Sequence, residues 1–314
     1  MLFVIEHMQN KDPKAKHPLS RGASSVAVVV FGEVLYDCFP GGRRVLGGAP
    51  FNVAWGLRGF GYQPLFISSV GDDEGGQNIR NKMIDWGILT QGLQTSAEYA
   101  TGEVYITIKD DEPTYEICGP RAWDAIDDVA HVAETLIYHG LLALRNDHSK
   151  RSLQSLIERS SAKRFFDVNL RAPHYSLEVL REWVIGADWL KLNIDELSIV
   201  LGMETIAFAD SEIYARKLID DFGVENVLLT GGSQGAMIVG RYGQALCSPA
   251  PEPERIVDTV GAGDSFSAYT IHGILSGFSA DAIVRQASHF ASKVCAMQGA
   301  TSSSKEFYTK VKHL

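Results

Sequence analysis

Residues 258–264 read Asp258, Thr259, Val260, Gly261, Ala262, Gly263, Asp264 and lead into an apolar run over residues 265–275. The two glycines permit a tight turn with close backbone approach, while Phe266, Ala268, Tyr269, Ile271, Ile274 and Leu275 recur with a helix-compatible period. A helix opened by such a turn presents unpaired N–H groups and the positive end of its dipole, and together these bind an anion such as phosphate. Asp264 sits inside the same turn, where a carboxylate can accept a proton from an attacking hydroxyl. Anion site and base in one turn are the equipment of phosphoryl transfer. A carboxylate at a helix start can also serve only the dipole, but the bare neighbours Gly261, Ala262 and Gly263 have few structural reasons to be there.

Other polar residues gather in short motifs that each carry a structural reading beside the chemical one. Gly47 and Gly48 open a predicted helix whose first turn holds Asn52, an amide able both to donate to and to accept from a bound hydroxyl; in isolation the pair is an ordinary turn. Asn193 and Glu196 have the spacing of a helix N-cap and its capping-box partner, and Glu196 could also hold magnesium through water. The two roles are compatible. Thr230, followed by Gly231, Gly232 and Gly235, forms either a hairpin turn or a loop on which a nucleotide phosphate or ribose can approach the backbone. Asp167, Asn169 and Arg171 cluster after a strand. None of the nine histidines has metal-ligand spacing, and His139 reads as a core or rim residue.

The elements that must position these residues alternate. Strands are predicted at 26–31, 65–70, 135–138, 164–168, 189–192 and 226–230, and helices near 51–57, 75–86, 149–160, 177–186, 194–201, 211–222 and 280–297. A mostly parallel, doubly wound sheet is the economical α/β architecture, and its ligands belong at the carboxyl ends of the strands, where the motifs fall. A second extended piece at 34–37 is read as a buried strand carrying Asp37. Short alternating strands over 92–118, with a piece at 39–46, are read as a flap sheet outside the main layer. A hairpin over 236–239 and 245–248 completes the last third, and there is no internal repeat.

Composition narrows the partners. The chain has 314 residues, 45% of them apolar, and a net charge of −9 with a pI near 5.5. Without basic runs it fits neither nucleic acid nor an anionic membrane surface, and a small-molecule ligand is expected. Cys38, Cys118, Cys247 and Cys295 are scattered, as reduced thiols in a cytoplasmic protein would be. No stretch approaches the roughly 18 apolar residues of a membrane span. Residues 1–24 lack periodicity and are expected to be a tail beside a single domain over 25–314.

Residues 258–264 resemble the carboxyl-terminal signature of the ribokinase-like (PfkB) carbohydrate kinases, and Gly47, Gly48 and Asn52 resemble the amino-terminal one. The likeness runs from about residue 26 to 301 with the flap, the Asn193/Glu196 pair and the Thr230 loop in order; residues 32–37, 46–54 and the Asp167, Asn169, Arg171 cluster are most similar to fructokinase-like enzymes. The resemblance implies a three-layer α/β/α core with a β-sheet lid, ATP as donor and a sugar hydroxyl as acceptor. It implies Asp264 as base, the N–H groups of Gly261, Ala262 and Gly263 on the transferring phosphoryl group, and Asp37, Gly47, Gly48 and Asn52 on the sugar, with Arg171 assisting. It further implies Thr230, Gly232, Gly235 and Gly263 at the nucleotide, Asn193 and Glu196 organising Mg²⁺ and phosphates, and K⁺ beside the anion hole at Asp258 and the Val260 carbonyl, near Gly299.

The expected activity is ATP-dependent phosphorylation of a free monosaccharide, with fructose foremost. Arg43, Arg44 and Arg121 flank the sugar motif and the flap, which keeps an acidic or phosphorylated sugar in view, and a 2-keto-3-deoxygluconate kinase or a nucleoside kinase is the alternative on this scaffold. A dinucleotide-binding oxidoreductase fails because no Gly-x-Gly-x-x-Gly follows the first strand. A catalytically silent sugar-binding regulator is opposed by Asp264 and its intact glycines. A homodimer is expected through the outer faces of the flap, which need cover, and light scattering tests it.

Overall fold

The computed structural model describes residues 28–109, 112–130, 134–243, 245–251 and 255–312, so the expected tail over 1–24 lies outside the described residues. Strand β1 (Val28–Phe31) is four apolar residues, all buried, and pairs in parallel with a strand on each side. A strand covered on both faces reads as a continuous apolar run, which is what this sequence supplies. Gly32 ends it with φ +149°, where a Cβ would lie 2.4 Å from Pro50 Cγ. Then come β2 (Leu35–Cys38), β3 (Arg44–Gly47), α1 (Ala49–Gly59), β4 (Leu65–Gly71), α2 (Glu74–Trp86), β5 (Leu93–Ser96), β6 (Gly102–Lys109) and β7 (Glu112–Ile117). The second half runs β8 (Leu136–Gly140), α3 (Asp147–Glu158), β9 (Lys163–Asp167), α4 (Leu177–Val184), β10 (Trp189–Asn193), α5 (Ile194–Leu201), α6 (Ser211–Phe222) and β11 (Asn226–Thr230). It closes with β12 (Ala236–Gly240), β13 (Leu246–Ser248), α7 (Ala262–Ser276), α8 (Ala280–Cys295) and α9 (Lys305–Val311).

The main sheet has nine strands in the order β13-β12-β11-β10-β9-β8-β1-β4-β5, parallel except for the β11-β12-β13 meander. One core cluster joins the sheet to α1, α2, α7, α8 and α9, the other joins its opposite face to α3 through α6. This is the three-layer α/β/α arrangement. From β1 the chain winds outward to β4 and β5, then returns to β8 on the other side of β1, so the topological switch lies between β1 and β8. Ligand crevices form at such points, outside the carboxyl ends of the strands.

The small sheet, β3-β2-β6-β7, differs from the sequence expectation at both ends. The strand carrying Asp37 is a half-buried lid strand rather than a buried one, because the chain leaves the main sheet at Gly32 and Leu35 pairs with Gly102 and Gly47. Conversely, Leu93–Ser96 belongs to the main sheet beside β4, held by Ser68 N–H donating to Gly92 O, and so is no part of the lid. The lid alternates as a one-sided sheet must: Val104 and Ile106 are buried, Tyr105 and Thr107 exposed. Its base is fixed where Asp73, the N-cap of α2, accepts from Thr101 N–H at 2.8 Å and Thr101 Oγ1 at 2.6 Å.

Helix α9, unforeseen from the sequence, packs Tyr308 against Gly59, where a Cβ would sit 2.4 Å from the ring. Among the described residues no helix is long and apolar enough to cross a membrane, and all four cysteines are free thiols.

Candidate active site

Two helices bring the distant halves of the site together. α1 and α7 approach closely at Gly56, where a Cβ would lie 2.9 Å from Ala268 Cβ. Asn52 and Asp264 each lie four residues before that crossing, on the same helix faces. At the next turn, therefore, Asn52 Nδ2 donates to Asp264 Oδ2 at 2.7 Å, leaving Asn52 Oδ1 buried and without a partner. An amide with a buried free acceptor beside a carboxylate suits a hydroxyl donor.

The turn before α7 is built as the motif predicts. Gly261 is the N-cap with φ +80°, and a Cβ there would lie 2.3 Å from Ala300 Cβ, so glycine is required twice over. One expectation needs correction: the Ala262 N–H donates to Thr259 O at 3.3 Å, whereas among the described residues the amides of Gly261, Gly263 and Asp264 have no backbone acceptor. Gly261 and Gly263 thus remain open as expected, and Asp264 takes the place of Ala262. Asp258 fastens this turn, accepting from Val260 N–H at 3.0 Å and from Gly299 N–H at 3.1 Å. Asp258, Val260 and the Gly299 loop are thus held together, with both Asp258 carboxylate oxygens accepting from backbone.

Opposite the turn, Gly48 has φ +106° and would press a Cβ within 2.6 Å of Glu33 O, while a Cβ on Gly47 would come 2.9 Å from Asp37 Oδ2. Side chains here would fill the space between lid and core. Arg171 lies exposed at the cleft, close enough to influence Glu33, Asp37 and Asp264 electrostatically. Burial pushes Asp264 up to about 6; its Asn52 hydrogen bond opposes this, the Asp167 charge reinforces it, and Lys191 and Arg171 pull back. Asp37 is raised to about 6 by burial against the pull of Arg171. Glu33 is raised by burial to about 7. A base with its pKa near the working pH accepts a proton readily and is still ionised at neutrality.

A pH prediction follows from these directions. With Asp264 as the expected base, active in its ionised form, kcat/KM should be low at acid pH, rise through about 6 and level off above neutrality. Arg171→Gln removes a charge that favours ionisation, so the same limb should move to higher pH; a limb moving to lower pH would contradict the assignment.

Asn193 and Glu196 form the complete capping box of α5, and Glu196 Oε1 also accepts from Leu170 N–H at 2.8 Å. Glu196 therefore first locks β10 to the loop after β9 that carries Arg171. Among the described residues no three His, Cys, Asp or Glu side chains converge as a metal site. Thr230 ends β11, and Gly235, at φ +113°, runs so close to Ser248 O that a Cβ would lie 2.3 Å from it; Gly232 is open, with nothing within 4 Å of its Cβ position. The Thr230 loop is thus a bare shelf one strand beyond Asn193.

Two residues at the site were not singled out in the sequence, although Glu33 falls within the segment 32–37. Glu33, only 3% exposed, sits directly after β1 with Oε2 unpartnered. Lys191, 6% exposed, pairs with fully buried Asp167 at 3.0 Å beneath the α7 turn. The available signal was a charge inside the otherwise apolar strand Trp189–Asn193 and a Glu beside the strand-ending glycine.

Fold and site define the class: an α/β phosphotransferase with an alcohol acceptor, closed by a β-sheet lid. Residues 28–306 match the description "pfkB family carbohydrate kinase", and the chain belongs to that family of sugar kinases. Fructokinase of Klebsiella pneumoniae is 29% identical over 271 residues, covering 81% of this chain and 85% of that protein. Deoxyribokinase of Salmonella typhi is 26% identical over 259 residues, covering 82% and 83%. Among solved structures, fructokinase from Vibrio cholerae O395 in a fructose, ADP and calcium ion bound form superposes with a TM-score of 0.74 at 23% identity, covering 91% of this chain and 99% of that one.

Proposed function

We propose that this sugar kinase transfers the γ-phosphoryl group of ATP to a hydroxyl of a free monosaccharide, fructose foremost. The observation that carries the reading is the 2.7 Å contact between Asn52 and Asp264 at the mouth of the α7 turn, which puts a hydroxyl-binding amide, a base and open backbone amides within reach of one another. Asp37, Gly48 and Asn52 hold the sugar with Gly47 leaving room for it, and Asp264 takes the proton of the reacting hydroxyl. The amides of Gly261, Gly263 and Asp264 meet the charge on the transferring group. Thr230, Gly232 and Gly235 support the nucleotide. Magnesium, when bound, neutralises phosphate charge; Glu196, whose oxygens each keep a second lone pair, would hold it through water, with Asn193 beside the phosphates. Asp258 and the Val260 carbonyl would hold potassium.

The arginines favour an uncharged acceptor. Arg44 sits opposite Cys38 on the lid face away from Asp37, bonded to Glu103 at 2.8 Å and stacked 4.3 Å over Tyr36. Arg121 pairs with the same Glu103 at 3.4 Å, and Arg43 stacks 4.0 Å over Phe39. Arg44 and Arg121 are thus already engaged by one lid carboxylate. The fructokinase relative supports fructose, whereas the deoxyribokinase relative supports an aldopentose. The groove of about 1070 Å³ between the β7 edge and residues 173–179 is lined by none of Asp37, Asn52, Arg171 or Asp264, so it gives no support to a larger acceptor such as a nucleoside or ketodeoxygluconate.

A panel of fructose, ribose, deoxyribose, ketodeoxygluconate, fructose phosphates and nucleosides with ATP discriminates these. Fructose should give the highest kcat/KM and fructose phosphates the lowest among the sugars. A nucleoside or a phosphorylated sugar as best acceptor would sink the fructose reading.

A further inference from the structure

The Lys191 side chain is not explained as a structural ion pair. Nζ donates to Asp167 Oδ1 at 3.0 Å, but Asp167 Oδ2 already accepts from Ser267 Oγ at 2.8 Å and from Tyr138 OH at 3.2 Å. An ammonium has three donors, and among the described residues Asp167 is the partner of just one. The group is buried, and unused donors at a buried charge are costly unless something comes to meet them. Its position makes the cost larger: a Cβ on Gly263 would lie 3.0 Å from Nζ, so the ammonium abuts the first turn of α7, the positive end of a helix. Burial disfavours its charge, yet Asp167, Glu196 and Asp264 more than offset this and raise its pKa above the ordinary lysine value, so it is charged at neutral pH.

A fixed positive charge with free donors, set against open amides and beside a base, complements only an anion that carries charge at that spot. We infer that Lys191 is a catalytic residue of the phosphoryl transfer, its ammonium contacting the non-bridging oxygens of the transferring group next to the Gly263 amide, with Asp167 as the positioning residue. The inference rests on the kinase reading above. In the step, the acceptor oxygen forms its bond to the γ-phosphorus and its proton passes to Asp264. The bond from that phosphorus to the bridging oxygen breaks, and ADP leaves with the electron pair. Lys191 stays protonated throughout and supplies charge that Gly263 could not supply with a side chain, since any Cβ would displace the ammonium.

The test uses the full chain with Lys191→Met, which keeps the stem and removes the charge. Sugar and ATP kinetics are measured beside calorimetric binding of ADP alone and of ADP with aluminium fluoride and sugar, a mimic of the transferring group. The expected result is a kcat lower by about 10²- to 10³-fold with sugar KM and ADP affinity changed by less than about threefold, and a comparable loss of affinity for the fluoride complex. A variant with kcat within about threefold of the parent overturns the inference, as does an equal loss of ADP and fluoride-complex affinity, the mark of a merely structural lysine. Should Lys191→Met fail to fold because Asp167 is left as an uncompensated buried charge, the Asp167→Asn/Lys191→Met double variant removes that charge and is judged by the same criteria. A parent chain that phosphorylates no acceptor of the panel overturns the kinase reading and this inference with it, whereas an active variant overturns this inference alone.

Discussion

Asp264→Asn is expected to lower kcat by about 10²- to 10⁴-fold, the range general-base catalysis supplies, while the folded chain becomes harder to unfold at pH 8. The two effects have one cause. Burial raises the native pKa of Asp264 from 3.8 to about 6, so above that pH the native state carries a carboxylate that the unfolded chain would ionise more easily. Stability from this group is full below about pH 4 and lost as pH rises through about 6, and asparagine escapes the loss. The gain at pH 8 is at most roughly 3 kcal/mol, less whatever water reaching the cleft screens. Near pH 4 the variant should show no advantage. Parallel thermal melts at the two pH values, with steady-state kinetics, check both halves; a variant that kept full activity would remove Asp264 from the mechanism.

Gly261→Val should be nearly as damaging to turnover for a different reason. The residue has φ +80°, and its Cβ would lie 2.3 Å from Ala300 Cβ, so the turn must shift and carry the open amides of Gly263 and Asp264 with it. Loss of aligned donors of this kind costs about 10²- to 10³-fold in kcat. Sugar binding, proposed above for Asp37, Gly48 and Asn52 across the cleft, should change little. Kinetics paired with calorimetric sugar binding separates the effects: unaltered kcat would mean that the turn is not the anion site.

The legible parts of this site were those in which chemistry and local structure use the same residues. Gly261 through Asp264 is a helix start and, by the same open amides, the proposed anion site, and Asn193 with Glu196 is a capping box wherever it stands. What the capping box also does, accepting the Leu170 amide and so fixing the loop of Arg171, depends on a residue 26 positions away and has no local signature. Sheet membership failed for the same reason. Residues 35–38 and 93–96 are both short extended pieces, and their assignment to lid or core is decided by pairing to Gly102 and to Ser68 respectively. The Asn52–Asp264 contact spans 212 positions and exists because Gly56 admits Ala268. Lys191 and Glu33 were the least legible, because a single charge in an apolar segment gives no hint of the helix turn or carboxylate that folding will set beside it.

The central claim is that Asp264 and the α7 turn transfer phosphate from ATP to a sugar hydroxyl. Its most direct test is the purified chain incubated with γ-labelled ATP, magnesium and fructose, followed by separation and mass measurement of the products. The prediction is fructose carrying a single labelled phosphate, formed in step with ADP and dependent on the sugar. Label released only as inorganic phosphate, or no turnover with any acceptor of the panel, would contradict it.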